Sequence, residues 1–157
     1  MLTLIRIDDR LIHAQVVVGW YEKCRPDRII LADDQVASDE WERRIFSSSV
    51  NPDIKVTILT IDKAAERINA GVYDKERVLL IIRDPVQALR LYQAGLQFDE
   101  INIGGMHYSG SRELLMDKIY ISVEEKQALR ELVKRSVTLE ARALPGDEKV
   151  ILNSRIV

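Results

Sequence analysis

Val78-Leu79-Leu80-Ile81-Ile82 is apolar at every position. A strand with one wet face alternates apolar and polar residues, so five apolar residues in succession mark a strand covered on both faces. The run ends at Arg83-Asp84-Pro85, where aspartate before proline reads as a helix N-cap followed by the first helical residue. Strand, short turn and helix form the repeating unit of a parallel sheet, and the same rhythm extends in both directions. Strands are predicted at Thr3–Ile7, Arg28–Ala32, Ile54–Leu59, Arg77–Ile82, Glu100–Ile103, Lys118–Ile121 and Thr138–Ala143, with a short closing strand around Val150–Leu152. Helices are predicted at Ala14–Lys23, Ser38–Ser48, Asp62–Ala70, Val86–Ala94 and Val123–Arg135. Ser38 ahead of Asp39 and Glu40 reads as an N-cap, and Gly71 and Gly95 fall where a left-handed residue closes a helix. Strands joined through single helices need right-handed crossovers, which gives an α/β fold: an open, mostly parallel twisted sheet of about seven strands with helices on both faces. The doubly covered 77–82 strand belongs beside the first strand. The ligand crevice of such a sheet lies beyond the carboxyl ends of its strands, so the loop after Ile7 is the first place to look for chemistry.

Composition narrows the function classes. The 157 residues suit a single domain spanning 1–157, with 46% hydrophobic and 31% charged residues as in ordinary soluble, folded proteins. The 23 basic and 25 acidic residues leave a net charge of −2, which offers no bulk field for nucleic acid or anionic lipid. One cysteine, Cys24, excludes an intrachain disulfide, and two histidines with one cysteine are too few for the usual structural zinc patterns. No metal and no cofactor are expected. With no signal segment and no apolar run near the ~20 residues that span a bilayer, the expected location is cytoplasmic, and work at a membrane needs partners.

The first strand leads into Asp8-Asp9-Arg10-Leu11-Ile12-His13-Ala14-Gln15, and a helix begins there. This places His13 at a helix N-terminus, where unpaired N–H groups and the helix dipole favour an anion. Arg10 carries a planar fork suited to bidentate phosphate binding. Asp8 can hold that arginine, or hydrogen-bond an imidazole nitrogen and fix its tautomer. Imidazole, guanidinium and helix terminus together can accept and release a phosphoryl group through nitrogen. The same residues also suit a surface histidine beside an ordinary Asp–Arg pair.

The run Arg6-Ile7-Asp8-Asp9-Arg10-Leu11-Ile12-His13-Ala14-Gln15-Val16 closely resembles the active-site loop of the mannose/fructose/sorbose-type IIB subunits of the bacterial phosphotransferase system. Ile101-Asn102-Ile103-Gly104-Gly105-Met106 is similar to the Asn-x-Gly-Gly-Met segment of that family, and the resemblance covers nearly the whole chain. It implies that His13 takes a phosphoryl group from phosphorylated IIA and passes it to a sugar held by the membrane IIC and IID subunits, with Nδ1 as acceptor and Arg10 on the phosphate. It also implies association with the inner membrane face through those partners. Ala14 stands where the family's loop usually has glycine. If that position only begins the helix, alanine is harmless; if it requires φ > 0 or close approach of the donor, transfer is attenuated.

Other residues carry both a functional and an ordinary reading. Asp9, Ala14 and Gln15 share the loop and are candidates for phosphate binding or docking, as are Arg83 at the end of the 77–82 strand and Gly104, Gly105 and His107 after the fifth. Each also serves as turn, cap or solvated loop. Trp20, Tyr21 and Trp41 suit core or a subunit interface, which leaves a homo-oligomer open. Asp33-Asp34 reads as a solvated turn. A receiver domain would need an aspartate ending its third strand and a lysine ending its fifth, where this chain has Thr57-Ile58-Leu59-Thr60 and Ile103-Gly104-Gly105; a dinucleotide fold would need Gly-x-Gly-x-x-Gly. Both are excluded. A regulatory IIB-like module that is phosphorylated but signals through protein contacts remains the competing reading, separable by whether IIC and IID reading frames adjoin the gene.

Overall fold

The computed structural model describes residues 1–156 and, at positions 14–16, the backbone only. The elements run β1 (Leu2–Ile7), α1 (Ala14–Cys24), β2 (Arg28–Ala32), α2 (Asp34–Ser38), α3 (Glu40–Ser47), β3 (Lys55–Leu59), α4 (Ile61–Asn69), β4 (Val78–Ile82), α5 (Pro85–Gln93), β5 (Glu100–Ile103), β6 (Arg112–Met116), β7 (Ile119–Ser122), α6 (Val123–Lys134), β8 (Thr138–Ala141), β9 (Val150–Ile151) and α7 (Asn153–Ile156). Seven strands form one sheet in the order β3-β2-β4-β1-β5-β8-β9, parallel except at the β8–β9 edge. The α/β expectation holds, and β4 lies beside β1 with Leu80 opposite Ile5 and Ile82 opposite Ile7.

The apolar run of β4 serves two layers. Val78, Leu80 and Ile82 join one core with Ala64 of α4, Leu91 of α5 and Leu129 of α6. Leu79 and Ile81 face the opposite core with Val17 and Trp20 of α1 and Val36 of α2. Side chains alternate across a strand, so burial on both faces demands apolar residues at every position. The chain leaves β1 into α1 on one face and leaves β4 into α5 on the other. The gap between the carboxyl ends of β1 and β4 is therefore the crevice of this sheet.

Three expectations are corrected. The strand expected at Lys118–Ile121 lies outside the main sheet: β7 pairs antiparallel with β6, which the sequence reading did not find because Glu113 and Leu114 are exposed and show no buried face. Ser38 does not cap a helix; the stretch is two helices, with Asp33 accepting from the Val36 N–H and Asp39 from the Glu42 N–H. Asp33 is thus a buried cap rather than a solvated turn residue. Gly71 and Gly95 have φ of 77° and 108°, the left-handed closures expected of them. Trp20 is buried, whereas Trp41 is exposed. Among the described residues no helix is long and apolar enough to cross a membrane.

An ion cluster joins the amino ends of β2, β3 and β4. Glu76 accepts from Arg28 and, at 2.9 Å, from Lys55, and these bonds pull its carboxyl down to about 2. A carboxyl depressed in the folded state adds stability above its ordinary pKa and loses it as pH falls through the folded one. Glu76→Gln should therefore cost about 1 kcal/mol at neutral pH, since the cluster is partly solvated. The difference from wild type should shrink between pH 4.5 and about 2 in urea titrations.

Candidate active site

The β1 ladder continues beyond the strand. The Asp8 N–H donates to the Ile82 carbonyl at 2.9 Å, the Gly104 N–H to Ile7 at 2.8 Å and the Asp9 N–H to Gly105 at 3.0 Å. Asp8 and Asp9 are thereby clamped between the ends of β4 and β5 before the chain turns. The turn is made at Leu11, whose φ of 60° is unusual for a branched residue and is sustained by full burial of its side chain. It brings His13 back over Asp8.

His13 is the N-cap of α1, with extended φ and ψ of −134° and 146° and no side-chain bond to the helix. Its imidazole is directed elsewhere: Nε2 lies 3.2 Å from Asp8 Oδ2. Asp8 is fully buried and receives two further bonds, from Arg6 Nη2 to Oδ2 at 3.1 Å and from the Arg10 N–H to Oδ1 at 3.1 Å. The sequence left open whether Asp8 holds Arg10 or His13. Asp8 holds the His13 ring and only the backbone of Arg10, because Arg6 already occupies the place of the paired guanidinium. The Arg10 side chain is exposed and makes no hydrogen bond among the described residues, leaving its fork available to an anion beside the N-terminus of α1.

Arg6 was not singled out by the sequence reading, yet it organises the site. Its Nη1 donates to Asn102 Oδ1 and to the Arg142 carbonyl at 3.0 Å, and its Nη2 to Asp8 and to the Ala143 carbonyl at 3.0 Å. Asn102 in turn donates to Glu140 Oε2 at 2.9 Å. The guanidiniums of Arg6 and Arg142 stack on Trp20 at 5.3 and 5.2 Å, and the Trp20 N–H donates to Ala143. Burial pulls the Arg6 pKa down, against the opposing pull of Asp8 and Glu140. An arginine still remains charged there. Arg6, Asn102 and Glu140 are register partners across β1, β5 and β8, so three polar side chains buried on one face form a single connected network. Its signal in the sequence is a polar residue set directly between two apolar ones in each strand: Arg6 between Ile5 and Ile7, Asn102 between Ile101 and Ile103, and Glu140 between Leu139 and Ala141.

The remaining candidates divide. Asp9 is bound by the His107 N–H at 2.7 Å, by His107 Nδ1 at 2.6 Å and by Arg112 at 2.8 Å. Burial would raise the Asp9 carboxyl, but these bonds outweigh it and hold the group below its usual range. Arg112, also missed from sequence, is gripped on its other side by Glu125 at 2.7 Å. Gly104 and Gly105 serve as close-approach positions: a Cβ on Gly104 would fall 2.1 Å from Arg6 Nη2, and one on Gly105 would fall 3.1 Å from His107 Cε1. Arg83 makes a structural contact at the end of β4, in keeping with the ordinary one of its two readings. Its Nε donates to Asp33 at 2.8 Å, which raises its pKa and ties the end of β4 to the cap of α2. The Ala14 and Gln15 expectations concern side chains outside the described residues; α1 begins at Ala14.

The comparisons agree with this architecture. Residues 2–156 match the family described as PTS system sorbose subfamily IIB component. The chain is 33% identical to the PTS system sorbose-specific EIIB component of Klebsiella pneumoniae, covering 99% of this chain and 94% of that protein. It is 29% identical to the PTS system fructose-specific EIIB component of Bacillus subtilis strain 168, over 93% and 90% of the two chains. The crystal structure of the IIBSor domain of the Klebsiella pneumoniae sorbose permease matches with a TM-score of 0.92 at 33% identity, covering 99% of this chain and 96% of that one. With a family match over almost its whole length and a fold shared with a solved IIB domain, the chain belongs to the sorbose subfamily of PTS system IIB components.

Proposed function

We propose that residues 1–157 act as one phosphocarrier domain in which His13 Nδ1 accepts a phosphoryl group from phosphorylated IIA and delivers it to a sugar held by membrane IIC and IID subunits. The observation that carries this reading is the 3.2 Å contact of His13 Nε2 with buried Asp8. A carboxylate fixed by Arg6 takes the Nε2 proton as a hydrogen bond, which leaves the lone pair on Nδ1. That lone pair attacks phosphorus; the N–P bond of the donor phosphohistidine breaks and its electron pair returns to the donor imidazole. The second transfer forms an O–P bond to the sugar and returns the pair to His13. Neither step calls for a metal or cofactor. Arg10 and the first-turn N–H groups of α1 hold the phosphoryl oxygens, so catalysis is positioning and charge stabilisation. The domain works in the cytoplasm, docked to the membrane through its partners.

The reading is tested by incubating the protein with phosphoenolpyruvate, the upstream phosphotransferase proteins and cognate IIA. NMR of the nitrogen-15 labelled product should show phosphate on Nδ1 of His13; phosphate on Nε2, or on another residue, rejects the assignment. Arg10→Lys keeps the charge but loses the fork. Losing one charge-assisted contact should slow single-turnover transfer about 10- to 150-fold while the melting curve stays unchanged. Wild-type rates in that variant would remove Arg10 from the phosphate site.

A further inference from the structure

The mechanism above leaves one titratable cluster at the same sheet edge unused. His107 follows the Gly104-Gly105 turn beyond β5, and its Nδ1 lies 2.6 Å from Asp9 Oδ1. Asp9 is itself locked by the His107 N–H, by Arg112 and by its own N–H on Gly105. Arg112 is held at its far side by Glu125, the capping-box residue of α6. An imidazole whose Nδ1–H is held by an ionised carboxylate presents Nε2 with its lone pair outward. The His107 side chain is 52% exposed and opens on a polar cleft of about 390 Å³ that Arg83, Ser109 and Ser111 also line.

The point where a Cβ on Gly105 would stand is 3.1 Å from His107 Cε1 and 3.4 Å from Asp8 Oδ1. His107 and the carboxylate that holds His13 therefore lie around one glycine. Consecutive aspartates each hold a histidine through opposite ring nitrogens: Asp8 takes Nε2 of His13, and Asp9 takes Nδ1 of His107.

We infer that His107 is the general base for transfer of the phosphoryl group from His13 to a sugar hydroxyl, an inference that rests on the phosphocarrier reading of His13. As the hydroxyl oxygen bonds to phosphorus, the P–Nδ1 bond breaks and its electron pair returns to the His13 imidazole. The hydroxyl proton passes to Nε2 of His107. The imidazolium so formed is stabilised by Asp9 and later releases the proton to water. Transfer from IIA moves the phosphoryl group from nitrogen to nitrogen and has no hydroxyl proton to remove, so His107 acts in only one half of the cycle.

That asymmetry defines the experiment. His107→Asn keeps an amide N–H within reach of Asp9 and removes Nε2. The wild type and this variant are loaded with labelled phosphate from phospho-IIA, then chased with vesicles carrying the cognate IIC and IID and with sorbose, fructose or mannose. The variant should load at the wild-type rate and release phosphate to sugar about 100-fold more slowly or worse. Asp9→Asn should show a smaller loss in the same step. Equal rates in both steps, or equal losses in both, would overturn the general-base role while leaving His13 in place. Loading without transfer to any of the sugars by the wild type would remove the transport reading, and this inference with it.

Discussion

His13→Ala should fold normally and take up no acid-labile, alkali-stable phosphate from phospho-IIA. The fold should survive because the side chain caps no backbone group of α1 and, among the described residues, hydrogen-bonds only to Asp8. Asp8 keeps its bonds from Arg6 and from the Arg10 N–H, so the buried carboxylate is not orphaned. A cost of about 1 kcal/mol is expected, the ordinary worth of one hydrogen bond. Loss of transfer should be complete, because the lone pair that forms the N–P bond goes with the ring. His107 does not substitute: its Nδ1 is held by Asp9, so its ring does not take the place of the His13 ring on Asp8. Thermal melts alongside label incorporation separate a folding defect from loss of the acceptor, and a folded variant that still takes label would place the acceptor elsewhere.

Gly104→Ala should produce the largest change in stability. A Cβ there would stand 2.1 Å from Nη2 and 2.2 Å from Cζ of Arg6, well inside contact distance. A long side chain usually swings away from such a clash, but this guanidinium is buried and bound to Asp8, Asn102 and two backbone carbonyls. Moving it leaves Asp8 buried without its cation, and breaking one side of a buried pair costs about 3–5 kcal/mol. In a protein of this length that corresponds to a fall in melting temperature of roughly 6–20 °C. Gly105→Ala supplies the contrast: its new Cβ would meet the half-exposed His107 ring at 3.1 Å, which has room to yield, so a loss of about 1 kcal/mol or less is expected. Equal melting temperatures for the two variants would show that Arg6 is not locked in place. Because Arg6 sets Asp8 and Asp8 sets the His13 ring, Gly104→Ala protein that remains folded at low temperature should also transfer phosphate slowly.

Apart from β6 and the division of α2 from α3, the strands and helices of the parallel sheet and the place of β4 beside β1 were legible in the sequence alone, since apolar runs, alternation and closing glycines are signals written in neighbouring residues. The loop from Asp8 to His13 was legible for the same reason: all its groups lie within six residues. What the sequence could not decide was which of them meet. Asp8 turns to His13 and Arg6 rather than to the Arg10 side chain because Leu11 takes a left-handed conformation that only burial of its side chain sustains. The Arg6–Asn102–Glu140 network depends on strand order and register, which bring residues up to 134 positions apart onto one row of the sheet. The β6–β7 hairpin and the Asp9–His107–Arg112 cluster likewise form through packing of distant segments. Local sequence specified the groups available for phosphoryl transfer, and tertiary structure chose their partners, because a buried charge must find its counter-charge wherever the fold puts it.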